Sequence, residues 1–193
     1  MSVAVIPARG GSRRLPRKNL RLFCGVPIIV YSIVKARESG LFGRIIVSTD
    51  DYEIGDIASR HGAEVLIRSA EMSRDEVGTQ AVMRFVLDQA KVSDSCACCV
   101  YPTSPLMLAD DLQNGWNALM FPGHTFAMSV GTNPLRDAGQ WYFGWTSAFG
   151  REPLIGPHTA MVPIPENRVC DINVESDWQR AEQMYKALHE QAS

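Results

Sequence analysis

A short stretch near the N-terminus combines positive charge with glycine. Five of the fourteen residues from Ile6 to Asn19 are basic, namely Arg9, Arg13, Arg14, Arg17 and Lys18. Gly10 and Gly11 let the backbone approach a ligand closely, and successive amides in such a turn can form an anion-binding nest. Arginine offers forked contacts to phosphate, and lysine offers a point charge. The pattern predicts that this loop holds a triphosphate.

Other interpretations of the loop are weaker. It contains neither GxxxxGK[ST] nor GxGxxG, so it matches neither the P-loop nor the dinucleotide-binding motif. A solvated basic loop would explain the charge, but it would not explain why charge and glycine coincide at the end of a strand. We therefore keep the triphosphate site as the hypothesis.

Strands and helices alternate along the first 120 residues. Apolar runs and capping residues predict strands at 2–7, 44–49, 64–67 and 96–101 and helices at 27–39, 50–61, 78–91 and 109–120. This alternation indicates right-handed βαβ units and a mainly parallel sheet, and hence an α/β protein. In such a sheet ligands bind at the carboxyl ends of the strands, which is where the basic loop begins.

The pattern loosens in the last third of the chain. Strands are predicted at 125–130, 139–144 and 169–172. Four prolines between residues 150 and 167 predict an extended loop over the sheet. A final helix is predicted to begin with Ser176 as its N-terminal cap. Without a linker or an internal repeat, we expect one domain across residues 1–193.

Composition excludes several classes of partner. The 193 residues carry a formal net charge of −2, so bulk electrostatics gives no reason to expect nucleic acid or a membrane surface as a partner. Because a strand is predicted from residue 2, we expect no signal peptide, and no apolar run approaches the roughly 20 residues of a membrane helix. Three of the five cysteines lie in the apolar run 96–101, where reduced core thiols are expected rather than zinc ligands. We expect a cytoplasmic protein.

Five segments carry a family resemblance, in the same order along nearly the whole chain. They are 6–19 (IPARGGSRRLPRKN), 27–31 (PIIVY), 46–50 (IVSTD), 101–105 (YPTSP) and 171–178 (DINVESDW). These segments closely resemble the acylneuraminate cytidylyltransferases, the enzymes that make CMP-activated nonulosonic acids. Tyr101, where sialic acid enzymes usually have Gln, and segments 137–144 and 177–185 look most like the pseudaminic acid cytidylyltransferases. The resemblance implies a three-layer, Rossmann-like nucleotidyltransferase fold with a mainly parallel central sheet.

The resemblance also implies a reaction. CTP and a 2-keto-3-deoxy nine-carbon sugar acid, with pseudaminic acid favoured, would give the CMP-sugar and pyrophosphate with the assistance of Mg²⁺. Such a transfer depends chiefly on positioning and charge neutralisation. Two alternatives stay open. The sugar could be sialic or legionaminic acid, or the chain could be a non-catalytic homologue that binds CTP or CMP.

Matching positions carry the family's nucleotide and metal residues over to this chain. Arg13 and Lys18 are expected nearest the leaving pyrophosphate, and Asp171 matches a family metal ligand. The residues implied to bind CTP are Ala8, Arg9, Gly10, Gly11, Ser12, Asn19, Arg68 and Thr79, with Asp75 in the same cytidine region as the last two.

Other polar residues have competing explanations. Thr103, Ser104 and Gln140 are candidates for contacts with the sugar acid, although turn or cap chemistry explains each equally well. Asp50 or Asp51 is expected to cap the helix predicted at 50–61, and for Asp50 a cap is favoured over a role in the site. Asp177 is expected to be favoured by a helix N-terminus, without a catalytic role.

Two departures from the family pattern affect this interpretation. The usual metal motif is Asp-Ile-Asp, whereas this chain has Asp171-Ile-Asn173, so Mg²⁺ would meet one carboxylate and one neutral amide. Relatives also carry a few dozen residues where only residues 131–136 stand here. The resemblance implies a homodimer whose subunits pair through this segment, which also completes the sugar pocket. Two alternatives stay open: the segment is absent from this protein, or the sequence omits a disordered loop at this point.

Overall fold

The computed structural model describes residues 2–92 and 95–190 and is built around one large sheet. Its strands are β1 (Ser2–Pro7), β2 (Leu22–Phe23), β3 (Val26–Pro27), β4 (Phe42–Thr49), β5 (Glu64–Ile67), β6 (Cys96–Val100), β7 (Phe126–Thr132), β8 (Leu135–Trp145) and β9 (Thr159–Pro163). Seven of them form a sheet in the order β5-β4-β1-β6-β8-β7-β9, and β2 and β3 form a separate hairpin. Only β8 runs against its neighbours in this sheet, so the predicted mainly parallel sheet is confirmed.

Helices cover both faces of the sheet. They are α1 (Ile28–Glu38), α2 (Tyr52–Arg60), α3 (Thr79–Gln89), α4 (Ala109–Met120) and α5 (Glu175–Glu190). Apolar residues of α1, α2 and α4 pack in one core on one face, and α3 packs in a second core on the other. The predicted three-layer α/β architecture is therefore confirmed. In the described residues, no helix is both long and apolar enough to cross a membrane.

Most predicted elements up to residue 120 lie within two residues of those observed, because local signals set their ends. Asp51 caps α2, since its carboxylate accepts the backbone N–H groups of Glu53 and Ile54 at 2.9 and 3.2 Å. Gly40 follows α1 with a φ of 69°, a conformation that favours glycine after a helix.

The predicted loop at 150–167 was wrong in part. Residues Thr159–Pro163 form β9, which pairs in parallel with β7 at the edge of the sheet. Prolines disfavour an internal strand, but Pro163 lies at the last position of an edge strand, where a missing N–H is tolerated. The prolines are therefore compatible with a strand at the edge of the sheet and do not indicate that a strand is absent.

Predictions for the last segment also need correction. Residues 169–172 form no strand; they follow a 3₁₀ turn at Glu166–Arg168. Their apolar pattern reflects burial of Val169, Cys170 and Ile172 rather than a sheet ladder. Ser176 does not cap α5, because the helix already begins at Glu175.

A tight hairpin joins β7 to β8. Thr132 and Leu135 are a register pair, so only two residues turn the chain between the strands. Glu166 holds this turn through an ion pair with Arg136, with 2.7 Å between Oε2 and Nη2. Residues 131–136 therefore form the end of β7, a two-residue turn and the start of β8, and the absence of a family segment at this point stays a prediction.

A buried ion pair anchors the segment that leads to Asp171. Arg168 is buried, and its guanidinium makes two contacts to the Asp111 carboxylate, one of them 2.9 Å between Nη2 and Oδ1. Asp111 also accepts the N–H of Leu108 at 2.8 Å, at the start of α4. The same contacts thus fix the turn at Glu166–Arg168 and the N-terminus of α4.

Removing one member of this pair should cost much stability. We expect Arg168→Met to lower the free energy of unfolding by about 3–5 kcal/mol, because Asp111 keeps a buried charge without its partner. Arg136→Met removes a more exposed ion pair, with Glu166 of the turn at Glu166–Arg168, and should cost about 1 kcal/mol or less. Urea unfolding of both variants measures the difference, and equal losses would contradict it.

Candidate active site

A cleft with two lobes opens at the carboxyl ends of β1 and β6. The first lobe, called the loop lobe, has a volume of about 410 Å³ and is lined by Pro7, Arg9, Ser12, Arg13, Arg14, Lys18, Asn19, Asp75, Tyr101, Pro102, Thr103 and Asn173. The second, called the Arg68 lobe, has a volume of about 350 Å³ and is lined by residues between Arg68 and Val82 together with Pro7, Arg9 and Tyr101. Four residues line both lobes, so the two form one continuous surface.

The basic loop is shaped by contacts with the neighbouring strand end. Gly10 donates its N–H to Asp50 Oδ1 at 2.8 Å. A Cβ at Gly10 would lie 2.6 Å from Asp51 Oδ2, so a side chain there would collide with Asp51. The prediction of Asp50 or Asp51 as the cap of α2 is confirmed for Asp51, but the preference for Asp50 as a cap was wrong, because Asp50 holds the loop. Ala8 is buried, and its N–H donates to the Ser48 carbonyl at 2.8 Å.

Four of the five loop cations face the cleft. Arg9, Arg13, Arg14 and Lys18 line the loop lobe. Arg17 turns away instead, and its guanidinium bonds Asp51 and Glu53 at 3.0 and 2.5 Å. Arg17 thus ties the loop to α2, while the other four concentrate positive charge on one wall.

Lys18 connects the loop with the C-terminal segment. Its Nζ donates to the Ile172 carbonyl at 2.6 Å, across 154 residues of sequence. Burial lowers the pKa of Lys18 below its usual value, the nearby Asp171 carboxylate raises it, and the charges of Arg14 and Arg9 lower it further. A partly desolvated cation of this kind interacts strongly with an incoming anion.

Asn173 links a cation to a carboxylate. Its Oδ1 accepts from Arg14 Nη2 at 2.6 Å, and its Nδ2 donates to Asp171 Oδ2 at 2.6 Å. An amide can accept and donate at once, whereas an ionised carboxylate only accepts. Asn173 therefore suits the place between Arg14 and Asp171 when no metal ion is bound.

Asp171 is the residue best suited to hold a divalent cation. Its carboxylate is exposed beside the loop lobe. Asp177, four residues from Asn173, instead accepts the backbone N–H groups of Asn173 and Val174 at 2.9 and 3.0 Å. Across residues 2–92 and 95–190, no group of three or more His, Cys, Asp or Glu side chains could hold a metal ion. A cation at Asp171 would thus need most of its ligands from a substrate and from water.

The Arg68 lobe contains an unused hydrogen-bond donor. Arg68 is buried and donates from Nε to Ser73 Oγ at 3.0 Å, but its Nη1 has no partner among the described residues. Burial lowers the pKa of Arg68 from its ordinary value. Thr79 Oγ1 lies 2.8 Å from Tyr101 Oη at the far side of the lobe. Burial raises the pKa of Tyr101 to about 12, so this hydroxyl stays protonated at neutral pH.

Of the three predicted sugar contacts, Ser104 and Gln140 contact each other, with the Ser104 hydroxyl 3.5 Å from the Gln140 carbonyl, but they do not reach the cleft with Thr103. Thr103 lines the loop lobe. Ser104 and Gln140 line neither lobe; the Ser104 hydroxyl donates to the Gly139 carbonyl at 3.4 Å, and Gln140 Nε2 donates to the Arg168 carbonyl at 2.7 Å. The role of these residues in sugar binding stays a prediction.

Two residues matter more in the cleft than the sequence indicated. Tyr101 marks a subgroup in sequence comparison, but in the structure it lines both lobes. Its position directly after β6 is the signal that could have found it, since neighbouring parallel strands end at one edge. Asp75 was expected near the cytidine region, yet its carboxylate contacts Arg9 and Arg13. No local signal predicts that pairing.

Several known proteins are similar to this chain in sequence. The sequence profile of the cytidylyltransferase family matches residues 3–135. The pseudaminic acid cytidylyltransferase of Campylobacter jejuni subsp. jejuni serotype O:2 is 32% identical over 230 residues, covering 99% of this chain and 99% of that protein. The CMP-N,N'-diacetyllegionaminic acid synthase of Legionella pneumophila subsp. pneumophila is 38% identical over 116 residues, covering 58% of this chain and 50% of that protein.

The fold is shared with a solved enzyme as well. A CMP:2-keto-3-deoxy-manno-octonic acid synthetase, solved in complex with CTP, superposes with a TM-score of 0.74 at 16% identity, covering 100% of this chain and 99% of that one. The likeness at this identity establishes the nucleotidyltransferase fold. Because the family profile spans more than half of the chain and a relative aligned along its whole length shares 32% identity, the chain belongs to the cytidylyltransferase family.

Proposed function

We propose that residues 1–193 form one nucleotidyltransferase domain that activates a nonulosonic acid, with pseudaminic acid favoured, by transfer of CMP from CTP. The observation that carries the proposal is the loop lobe, in which four cations converge beside the exposed carboxylate of Asp171. The C. jejuni relative, which is named for pseudaminic acid and aligned over the whole chain, supports this choice of sugar.

The two lobes suit the two halves of CTP. Arg9, Arg13 and Lys18 supply positive charge where the triphosphate would lie, with Arg13 and Lys18 nearest the leaving pyrophosphate. The unused Nη1 donor of Arg68 suits a carbonyl or ring-nitrogen acceptor of cytosine. Ala8, Gly10, Gly11, Ser12, Asn19 and Thr79 complete the proposed nucleotide contacts.

The proposed reaction joins the sugar to the α-phosphate. The anomeric hydroxyl gives up its proton and attacks the α-phosphorus, and the bond from that phosphorus to the bridging oxygen of pyrophosphate breaks. Preorganised cations that meet the charge developing on the leaving group lower the barrier, because they need no reorganisation at that moment. Thr103, at the wall of the loop lobe, is the best placed of the proposed sugar contacts, with Ser104 and Gln140 behind it.

A divalent cation such as Mg²⁺ is part of the proposal. Mg²⁺ is commonly held by one or two carboxylates together with substrate phosphates and water, and the single exposed carboxylate of Asp171 suits that mode. The oxygen of Asn173 is already used by Arg14, so this amide is the weaker of the two proposed ligands. When bound, the ion would supply charge neutralisation at the phosphates.

The cellular compartment and the oligomeric state of the protein are proposed from different observations. Three cysteines are buried in β6, where thiols pack as small apolar side chains, and this supports a reducing cytoplasmic compartment. Family resemblance supports a homodimer, but the two-residue hairpin at Asn133–Pro134 offers no protrusion for subunit pairing. Light scattering on the purified chain would decide between a dimer formed elsewhere and a monomer.

Pyrophosphate release tests the function directly. The chain is incubated with CTP and Mg²⁺, and pseudaminic, sialic and legionaminic acids are supplied separately. We expect release with pseudaminic acid above the other two. Release only with legionaminic acid would favour the substrate of the Legionella relative. If no pyrophosphate is released with any of the three acids while CTP still binds, catalysis is contradicted and a non-catalytic nucleotide-binding homologue is favoured. Asn173 supports that second candidate, because it replaces a carboxylate of the family metal motif.

Removal of the Lys18 ammonium should affect turnover more than folding. We expect Lys18→Ala to reduce turnover by about 10²–10³-fold, as for loss of one preorganised charge in an active site. The lost hydrogen bond to Ile172 should lower the free energy of unfolding by only about 1 kcal/mol. Arg17→Ala is the control, since Arg17 belongs to the same loop but faces α2. Normal turnover of the Lys18 variant would contradict the assignment of the basic loop to the triphosphate.

A carboxylate at position 173 should strengthen metal binding. We expect Asn173→Asp to lower the half-saturating Mg²⁺ concentration by about tenfold, because added ligand charge raises affinity. Ser176→Asp adds the same charge at an exposed position in the first turn of α5 and should change little. Mg²⁺ titrations of pyrophosphate release compare the two variants. An unchanged titration for Asn173→Asp would show that position 173 does not face the metal.

A further inference from the structure

One acidic side chain already lies among the cations of the loop lobe. Asp75 Oδ1 contacts Arg9 Nη1, and Asp75 Oδ2 lies 2.9 Å from Arg13 Nε. Each carboxylate oxygen therefore serves one guanidinium, and the side chain bridges the two arginines. All three residues line the loop lobe, where the triphosphate is proposed to bind.

We propose that Asp75 is an internal counter-anion, which occupies a phosphate position between Arg9 and Arg13 and is displaced when a polyphosphate binds. This inference rests on the proposed nucleotide function. Carboxylate and phosphate oxygens accept the same forked contacts from guanidinium groups. The two anions cannot share the position, because like charges at contact distance repel. A polyphosphate has more charge and more acceptor oxygens than one carboxylate, so it displaces the Asp75 carboxylate from the two arginines.

The ion pairs of Asp75 are weak enough to exchange. The side chain of Arg13 is 84% exposed and that of Asp75 is 32% exposed. Ion pairs that are open to water are screened and contribute little net stability. Asp75 thus keeps the arginines charge-compensated in the free protein without sealing the site.

The loop that carries Asp75 is hydrogen-bonded mainly within itself. Its backbone hydrogen bonds run from Ser73 to Ala70, from Arg74 to Glu71 and from Val77 to Arg74, all within residues 69–77. At its start the Arg68 N–H donates to the Thr49 carbonyl at 2.8 Å, and at its end the Val77 side chain packs against the core beside α3. Displacement of Asp75 can therefore move the residues between these two anchors without breaking a strand.

Such movement connects the two lobes. Residues 72–75 and 77–79 form one wall of the Arg68 lobe, and Asp75 lines the loop lobe as well. Exchange at the arginines therefore alters the wall beside the proposed cytosine position. Binding of the phosphates and binding of the base become coupled through Asp75.

Calorimetric titration of the full chain with sodium tripolyphosphate and with pyrophosphate, in the absence of metal, tests the exchange. We expect Asp75→Asn to bind both anions about tenfold more tightly than wild type, because the competing charge is gone. Asp75→Ala should shift in the same direction. Glu76→Gln removes the same charge from the adjacent exposed residue and should bind like wild type. Thermal melts establish that every variant is folded.

Amide hydrogen exchange gives an independent measure of the displacement. Residues 69–77 of the wild-type chain should exchange faster with tripolyphosphate bound, whereas those of Asp75→Asn should change little. Equal exchange with and without the anion would overturn the proposal.

The possible failures are distinguishable. If wild type binds tripolyphosphate and Asp75→Asn binds it equally or more weakly, the counter-anion role is overturned; weaker binding would mean that Asp75 orients the arginines. That result leaves the proposed function standing, as long as the wild-type chain turns over CTP. A wild-type chain that binds neither tripolyphosphate nor CTP would overturn the nucleotide site and this inference together.

Discussion

The candidate site depends on an apolar cluster that joins the two ends of the chain. Its buried members are Leu15, Phe23, Ile28, Leu106, Cys170, Ile172, Trp178 and Ala181. The rings of Phe23 and Trp178 meet edge to face at 5.6 Å, and both side chains are almost fully buried. Burial of an apolar side chain contributes about 1.5–3 kcal/mol, which is enough to hold α5 against the segment after the basic loop. This contact keeps Ile172 within reach of Lys18 and the loop cations beside Asp171.

The part of the fold that could be predicted from sequence is the part with local signals. The βαβ alternation up to residue 120 was predicted because apolar runs, helix caps and glycine stops act within a few residues. β9 was missed because its strand character comes from pairing with β7, more than twenty residues away, and prolines hide it locally. Residues 169–172 show the opposite error. Their apolar residues are buried by long-range packing, and the pattern alone does not distinguish such burial from a strand.

The same division applies to the site. The basic loop was identified because charge and glycine coincide in fourteen consecutive residues. Which cations face the cleft could not be read from the loop, since Arg17 is drawn away by Asp51 and Glu53 on α2. Nor could the pairing of Arg9 with Asp75 be predicted, because 66 residues separate them and only the folded sheet brings them together.

The hairpin between β7 and β8 gives this scaffold a point at which its length can vary. Thr132 and Leu135 are already paired, so residues inserted between them would extend outward from an exposed tip and leave the ladder in register. Such growth is thermodynamically inexpensive, since each doubling of a loop's length costs only about 0.6 kcal/mol. A lineage can therefore acquire or discard an appendage here while the sheet persists, and a protein engineer can graft a recognition peptide at the same tip.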